Sequence, residues 1–142
     1  MAEMLEPTLH SLIPEQVREF AKLIRGEPYH FDRWQDDRYG LECLYYWFMS
    51  KDRTKKNEKR VPLREFRPAL QQLRSTGFLT RETFEKVCPV AKSAGPCGFA
   101  VIGRTFEALR VAAYSGSHGF RLINGDEAAR LLGASPSTHP AR

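Results

Sequence analysis

Ten consecutive residues, Lys51 to Arg60 (KDRTKKNEKR), place six cations against Asp52 and Glu58, a net of +4 in a chain whose whole formal charge is +5. Arg64, Arg67 and Arg74 follow, and Tyr45, Tyr46 and Trp47 come just before. Cations beside aromatic side chains are the footprint of a phosphate-backbone partner. Each Lys or Arg that meets a phosphate releases condensed counterions, so such binding weakens steeply with salt. Exposed rings would add faces on which bases stack. This reading makes Lys51, Arg53, Lys55, Lys56, Lys59 and Arg60, carried on a loop over 51–60, together with Arg64 and Arg67, the nucleic-acid-binding set. The opposing reading is a solvated loop that keeps the chain soluble.

Other reactive side chains point less clearly to chemistry. Cys88 and Cys97 are eight residues apart with His118 downstream, a wider spacing than zinc pairs show. Cys43 lies in an apolar run, where a buried thiol is the ordinary outcome. His30, between Tyr29 and Phe31 and next to Asp32, reads as a half-buried structural histidine before a general base. Ser115 to Gly119 (SGSHG) is a glycine-rich turn whose neighbours do not aim at one another, and no G-x-S-x-G occurs. Gly95, Gly98 and Gly103 do not form a phosphate-cradling loop. No metal site and no cofactor is implied by these residues.

The elements that must hold the cations follow from periodicity. Pro14 and the stripe Val17, Phe20, Ala21, Ile24 predict a helix over 14–25, ended by Gly26 and Pro28. Residues 29–39 read as a short strand with an acidic turn. The stretch Tyr39 to Ser50 (YGLECLYYWFMS) fits both periods: Leu41, Cys43, Tyr45, Trp47 and Met49 share a strand face, and Leu41, Leu44, Tyr45 and Phe48 share a helix face. Its aromatic density favours a strand over 44–49. Leu63, Phe66, Leu70 and Leu73 predict a helix, with a kink or late start near Arg67 because Pro68 lies inside it. Thr80 reads as an N-cap, with Leu79 and Phe84 as a hydrophobic staple. That helix ends by Cys88, because Pro89 follows. Phe99 to Ile102 reads as a strand, Arg104 to Tyr114 as a helix, and Phe120 to Ile123 as a second strand. Asn124 and Glu127 resemble a capping box for a helix carrying Leu131 and Leu132.

Composition bounds the answer. The 142 residues are 42% hydrophobic, 11% aromatic and 27% charged, with a mean hydropathy of −0.48. One compact domain over 1–133 with a disordered tail over 134–142 is expected, burying roughly 68–70% of its unfolded surface without disulfides or metals. No apolar run approaches the ~18 residues of a membrane span. Glu3 and Glu6 near the start, and three cysteines that cannot all pair, suggest a reduced, cytoplasmic setting. Two apolar strands joined by a helix over 99–132 predict a parallel pair with a right-handed crossover, flanked by strands from 29–49. The fold class is thus α/β, or α+β in the alternative, with a small mixed or parallel sheet and flanking helices.

The run from Gly98 to Leu132, GFAVIGRTFEALRVAAYSGSHGFRLINGDEAARLL, resembles the closing part of Mrr-type restriction endonuclease domains, within the PD-(D/E)xK nuclease superfamily. Phe99 to Ile102 matches the first strand. Arg104, Thr105 and Phe106 match the turn, and Leu122, Ile123, Asn124 and Gly125 match the second turn. Val61 to Leu73 matches the preceding helix, so the likeness covers about residues 61–132, half the chain. It implies a restriction-endonuclease-like sheet. It further implies an acid at one strand end and Asp/Glu-x-Lys on the next strand, holding magnesium and positioning the attacking water. Asp36 or Asp37 would be the first acid, with Glu42 and Lys51 supplying carboxylate and ammonium. No single register gives the full set: Met49-Ser50-Lys51 lacks the carboxylate, and Glu42-Cys43-Leu44 lacks the lysine. Three functions follow. The first is a nucleic-acid-binding module on a nuclease-like scaffold without a complete catalytic set. The second is a divergent magnesium-dependent nuclease using Asp36, Asp37, Glu42 and Lys51. The third is a small regulator or inhibitor from a bacterial mobile element that meets an acidic protein surface.

Overall fold

The apolar positions Leu5, Leu9 and Leu12 fall on one helical face, and all three are buried. They belong to α1 (Leu5–Leu12) in the computed structural model, which describes residues 4–133. The expected tail over 134–142 lies outside the described residues. The helix expected over 14–25 does not form. Gln16 and Val17 donate their amides to the Leu12 carbonyl in a turn, and Glu19–Phe20 is a two-residue strand, β1. The apparent stripe is broken at Ile24, which is 82% exposed, while Phe20 is fully buried. Two apolar anchors set in an extended chain had mimicked a helical face.

The chain then runs back and forth through β2 (Tyr29–Asp36), β3 (Glu42–Met49) and β4 (Lys56–Pro62). With β1 they form an antiparallel sheet in the order β1-β2-β3-β4. The extended reading of the aromatic stretch therefore holds. The loop expected over 51–60 is shorter than that, since the second half of the basic segment is strand β4. Helix α2 (Leu63–Thr76) starts at Leu63 rather than near Arg67 and runs through Pro68. Its last turn closes on Gly77, at φ 87°, a left-handed position that glycine takes without strain.

Short elements complete the chain. β5 (Phe78–Leu79) leads to α3 (Arg81–Val87), where the Thr80 side chain accepts the Thr83 amide as the capping residue. Helix α4 (Pro89–Ala94) follows at once. Its first free amides, of Val90 and Ala91, donate to the buried Glu65 carboxylate of α2 at 3.0 and 2.9 Å. Helix α5 (Gly98–Ala108) stands where a strand was expected over 99–102. Four apolar residues in a row fit a buried strand or a helix that is apolar all round, and this helix has eight of its eleven residues buried. Arg110, at φ 65°, reverses the chain. The expected helix to Tyr114 thus gives way to β6 (Ala112–Tyr114), and β7 (Phe120–Leu122) and α6 (Gly125–Leu131) follow. The Asn124 side chain caps α6 by accepting the Glu127 amide.

Strands β5, β7 and β6 make a second sheet in that order, and every pairing is antiparallel. The parallel crossover is excluded by length: residues 115–119 join β6 to β7, and a parallel connection needs a dozen residues or more. The architecture is mixed α+β, with two antiparallel sheets. Helix α5 packs against β1 and β4 of the first sheet and β6 of the second. One hydrophobic cluster extends from Leu5 to Leu131 through Tyr46, Phe66, Phe106 and Phe120. Among the described residues, no helix is long and apolar enough to cross a membrane.

The contact between α5 and β7 depends on Gly103. A Cβ there would stand 2.0 Å from the Phe120 ring. Gly103→Ala is expected to cost about 1–3 kcal/mol, the usual range for overpacking. Equilibrium unfolding in urea should show it as a lower midpoint with an unchanged slope.

Candidate nucleic-acid interface

Alternation along β3 sorts its side chains onto two faces. Leu44 and Tyr46 are fully buried, and Phe48 packs on the same core. Tyr45, Trp47 and Met49 fall on the opposite face and are partly exposed. Of the three aromatics that precede the basic segment, Tyr46 is therefore core. Its hydroxyl is buried without a hydrogen-bond partner, and burial pushes the phenol's pKa up. Tyr45 and Trp47 are the two rings that a ligand can reach.

Neighbouring strands place polar groups around those rings. Cross-strand pairing sets His30 beside Trp47 and Arg33 beside Tyr45 on one side. Glu58 and Arg60 face the same two rings from the other side. The His30 ring stacks on Trp47 at 4.4 Å, and the Arg33 guanidinium lies 4.2 Å from the Tyr45 centroid. Lys56 Nζ lies 4.6 Å from the Trp47 centroid. Arg33 also pairs with Asp32 and Glu58. Beyond Trp47 a groove of about 320 Å³ runs between His30, Trp47 and Met49, with Lys22, Lys51 and Arg53 in its lining. His30, Arg33 and Lys22 were not in the set read from the sequence. Their signal, a cross-strand register, becomes visible only once the strands are paired.

The basic segment does not form one lobe. Lys51, Arg53 and Lys55 project from an exposed turn, and Lys56 begins β4. Lys59 lies opposite Tyr46, hence on the core side of the sheet, and its side chain runs beside Gly95. Three of the expected phosphate ligands are occupied by the protein's own acids. Arg53 pairs with Glu27. Arg60 Nε donates to Asp37 at 3.3 Å. Arg67 makes a two-pronged contact with Glu6 at 2.6 and 3.1 Å. Lys51, Lys55, Lys56 and Arg64 have no carboxylate partner among the described residues.

The four residues of the nuclease reading do not come together. Asp36 and Glu42 are register partners at one end of the β2–β3 pair. Lys51 lies beyond Met49, at the other end of β3. At about 3.3 Å per residue, eight strand residues separate them by roughly 23 Å. Glu42 is engaged by His10 Nε2 at 2.8 Å. Asp37 accepts the amides of Tyr39 and Leu41 at 2.8 and 3.0 Å, which ties the β2–β3 turn. One ammonium cannot serve those carboxylates across that distance. Among the described residues, no three His, Cys, Asp or Glu side chains meet where they could hold a metal ion. Cys88 is buried and directs its Sγ at the Glu65 carbonyl, and burial pushes this thiol up to about 12.

Burial alone would raise the Asp37 pKa. The two amide hydrogen bonds and the Arg60 guanidinium outweigh it and hold this carboxyl below its usual range. A carboxylate depressed in the folded state contributes stability above its unfolded pKa and loses it as the pH falls through the folded one. Asp37→Asn should therefore flatten the acid limb of the stability curve below about pH 4, where an unfolded aspartate takes its proton. Urea midpoints of the two proteins, measured from pH 7 downward, check this. No protein-family profile, curated protein or solved structure matches the chain.

Proposed function

We propose that the chain binds single-stranded nucleic acid on the outer face of the β1–β4 sheet. The observation that carries this reading is the outward row of Tyr45 and Trp47, with cationic groups over both rings and Lys51 and Lys55 at its end. Every base has a π-face, so stacking on such rings tolerates any sequence, and nearby ammonium and guanidinium groups neutralise the backbone. A base entering at Trp47 would displace the flexible Lys56 side chain from the ring toward a phosphate. The groove beside Trp47, about 320 Å³, lies at the small end of ligand-sized sites and suits one nucleotide.

Duplex reading by an inserted helix is disfavoured by the burial of α5. In helix-turn-helix proteins the second helix must be free to lie in the major groove. Here α3 and α4 precede a helix that is covered by both sheets, and Arg104 fastens it to the carbonyls of Ala21 and Lys22 at 3.0 and 3.1 Å. A nuclease reading is disfavoured by the separation of Lys51 from Asp36, Asp37 and Glu42. The binding module retains the sheet face alone.

Short single-stranded oligonucleotides should bind at low salt and quench Trp47 fluorescence, with Trp34, hydrogen-bonded to the Ile13 carbonyl, unaffected. Trp47→Ala or Tyr45→Ala should each cost about 1–3 kcal/mol of binding, the value of one base stacked on one ring. Lys51→Gln with Lys55→Gln should lower the salt slope by about 0.7 per lysine. No binding at low salt would overturn the proposal, and retention of an acidic peptide instead would favour the protein-facing alternative.

A further inference from the structure

The far end of the same sheet holds a second concentration of charge. Arg38 of the β2–β3 turn, Arg60 of β4 and Arg64 of α2 line an open cleft of about 630 Å³, with Tyr39 beside them and α4 along one wall. Asp37 is the one carboxylate in that lining. It accepts from Arg60, whereas Arg38 and Arg64 have no carboxylate partner among the described residues. Three guanidinium groups against one carboxylate leave a local charge of +2. Tyr39 is 66% exposed, and the Arg38 guanidinium lies 4.9 Å from its ring centroid.

These features specify a ligand. Guanidinium forks match the oxygens of phosphate better than an ammonium does. An internal phosphodiester carries one negative charge, but a phosphomonoester carries about 1.5 to 2 near pH 7, the charge this cleft lacks. The exposed Tyr39 ring supplies a flat face next to the cations, as a terminal base would need. Arg60 lies across from Tyr45 in the sheet, so the outward aromatic row leads to the cleft. We infer that the Arg38–Arg60–Arg64 cleft receives a phosphomonoester, the phosphate at the end of a nucleic-acid strand whose following nucleotides lie on Tyr45 and Trp47. The strand in this inference rests on the sheet reading above. The phosphomonoester rests on the cleft itself.

The test compares one six-nucleotide single strand in three forms, with hydroxyl groups at both ends, with a 5′-phosphate and with a 3′-phosphate. One phosphorylated form should bind about tenfold more tightly than the hydroxyl form, a gain of the size that charge-assisted hydrogen bonds supply. Arg38→Gln combined with Arg64→Gln should abolish that preference, so that this variant binds the three forms with equal affinity. Circular dichroism should show both proteins equally folded. Equal affinity for the three forms, or a preference that survives the double substitution, overturns the inference while the sheet reading stands. If no strand binds, the sheet reading fails, and mononucleotides decide the cleft. Amide shifts at Arg38, Tyr39 and Arg64 with a nucleoside monophosphate but not the nucleoside support it, and their absence overturns it.

Discussion

Successive residues of a strand point to opposite faces, and a slip of one position in β3 would exchange its core and its surface. What prevents that slip is packing. Leu44 and Tyr46 are fully enclosed, Phe48 lies against Tyr29 edge to face at 5.5 Å, and Tyr29 meets Tyr46 in the same manner at 5.7 Å. Strand β2 adds an irregularity between Phe31 and Arg33. Regular alternation would send His30 and Arg33 to opposite faces, because they are three residues apart. The extra residue, Asp32, lets both turn outward, His30 onto Trp47 and Arg33 onto Tyr45. A bulge of this kind re-aims a side chain at the cost of one ladder position. The polar surroundings of both outward rings thus depend on one inserted residue.

Helix α5 determines which surface is left for function. It joins the two sheets and contributes Phe99, Val101, Ile102 and Phe106 to the shared core. A helix so enclosed must be apolar nearly all round, and its two charged residues, Arg104 and Glu107, pair with each other at 2.7 Å, with Arg104 also donating to the Ala21 and Lys22 carbonyls. With that helix inside, the cations that the binding reading uses come from the first sheet, its connecting turns and the first half of α2. The cations there are not interchangeable. Arg60 and Arg67 hold the fold to itself through Asp37 and Glu6, whereas Lys51, Lys55 and Arg64 face solvent.

Local signals in the sequence were legible where one residue settles one geometry. The Thr80 cap, the Asn124 cap and the aromatic strand β3 could all be read from residue types. The helix expected over 14–25 failed because Val17, Phe20 and Ile24 have helical spacing without a helical environment. The strand expected at Phe99 to Ile102 failed because a short apolar run carries no period of its own. That single misreading, with the helix carried to Tyr114, generated the parallel sheet, since strand–helix–strand demands a crossover. The ingredients of the proposed interface are contiguous in the sequence, a basic run next to its aromatic neighbours. How its cations divide was not legible, because which of them meet Glu6, Glu27 or Asp37 depends on contacts up to 61 residues apart. His30, Arg33 and Arg38 join the site through register and turn geometry, which composition does not encode.

The short β1 strand has a consequence of another kind. A sheet that shows aromatic rings on an open face would be expected to recruit other chains along its unpaired margins. Here one margin carries only the two-residue β1, after which the Trp34 indole binds the Ile13 carbonyl at 2.9 Å and the first helix and its turn stand against the strand. The other margin, β4, is flanked by α4 and begins with a lysine. A margin this short on one side and a charged residue opening the strand on the other are devices that discourage edge-to-edge pairing while the rings stay on display.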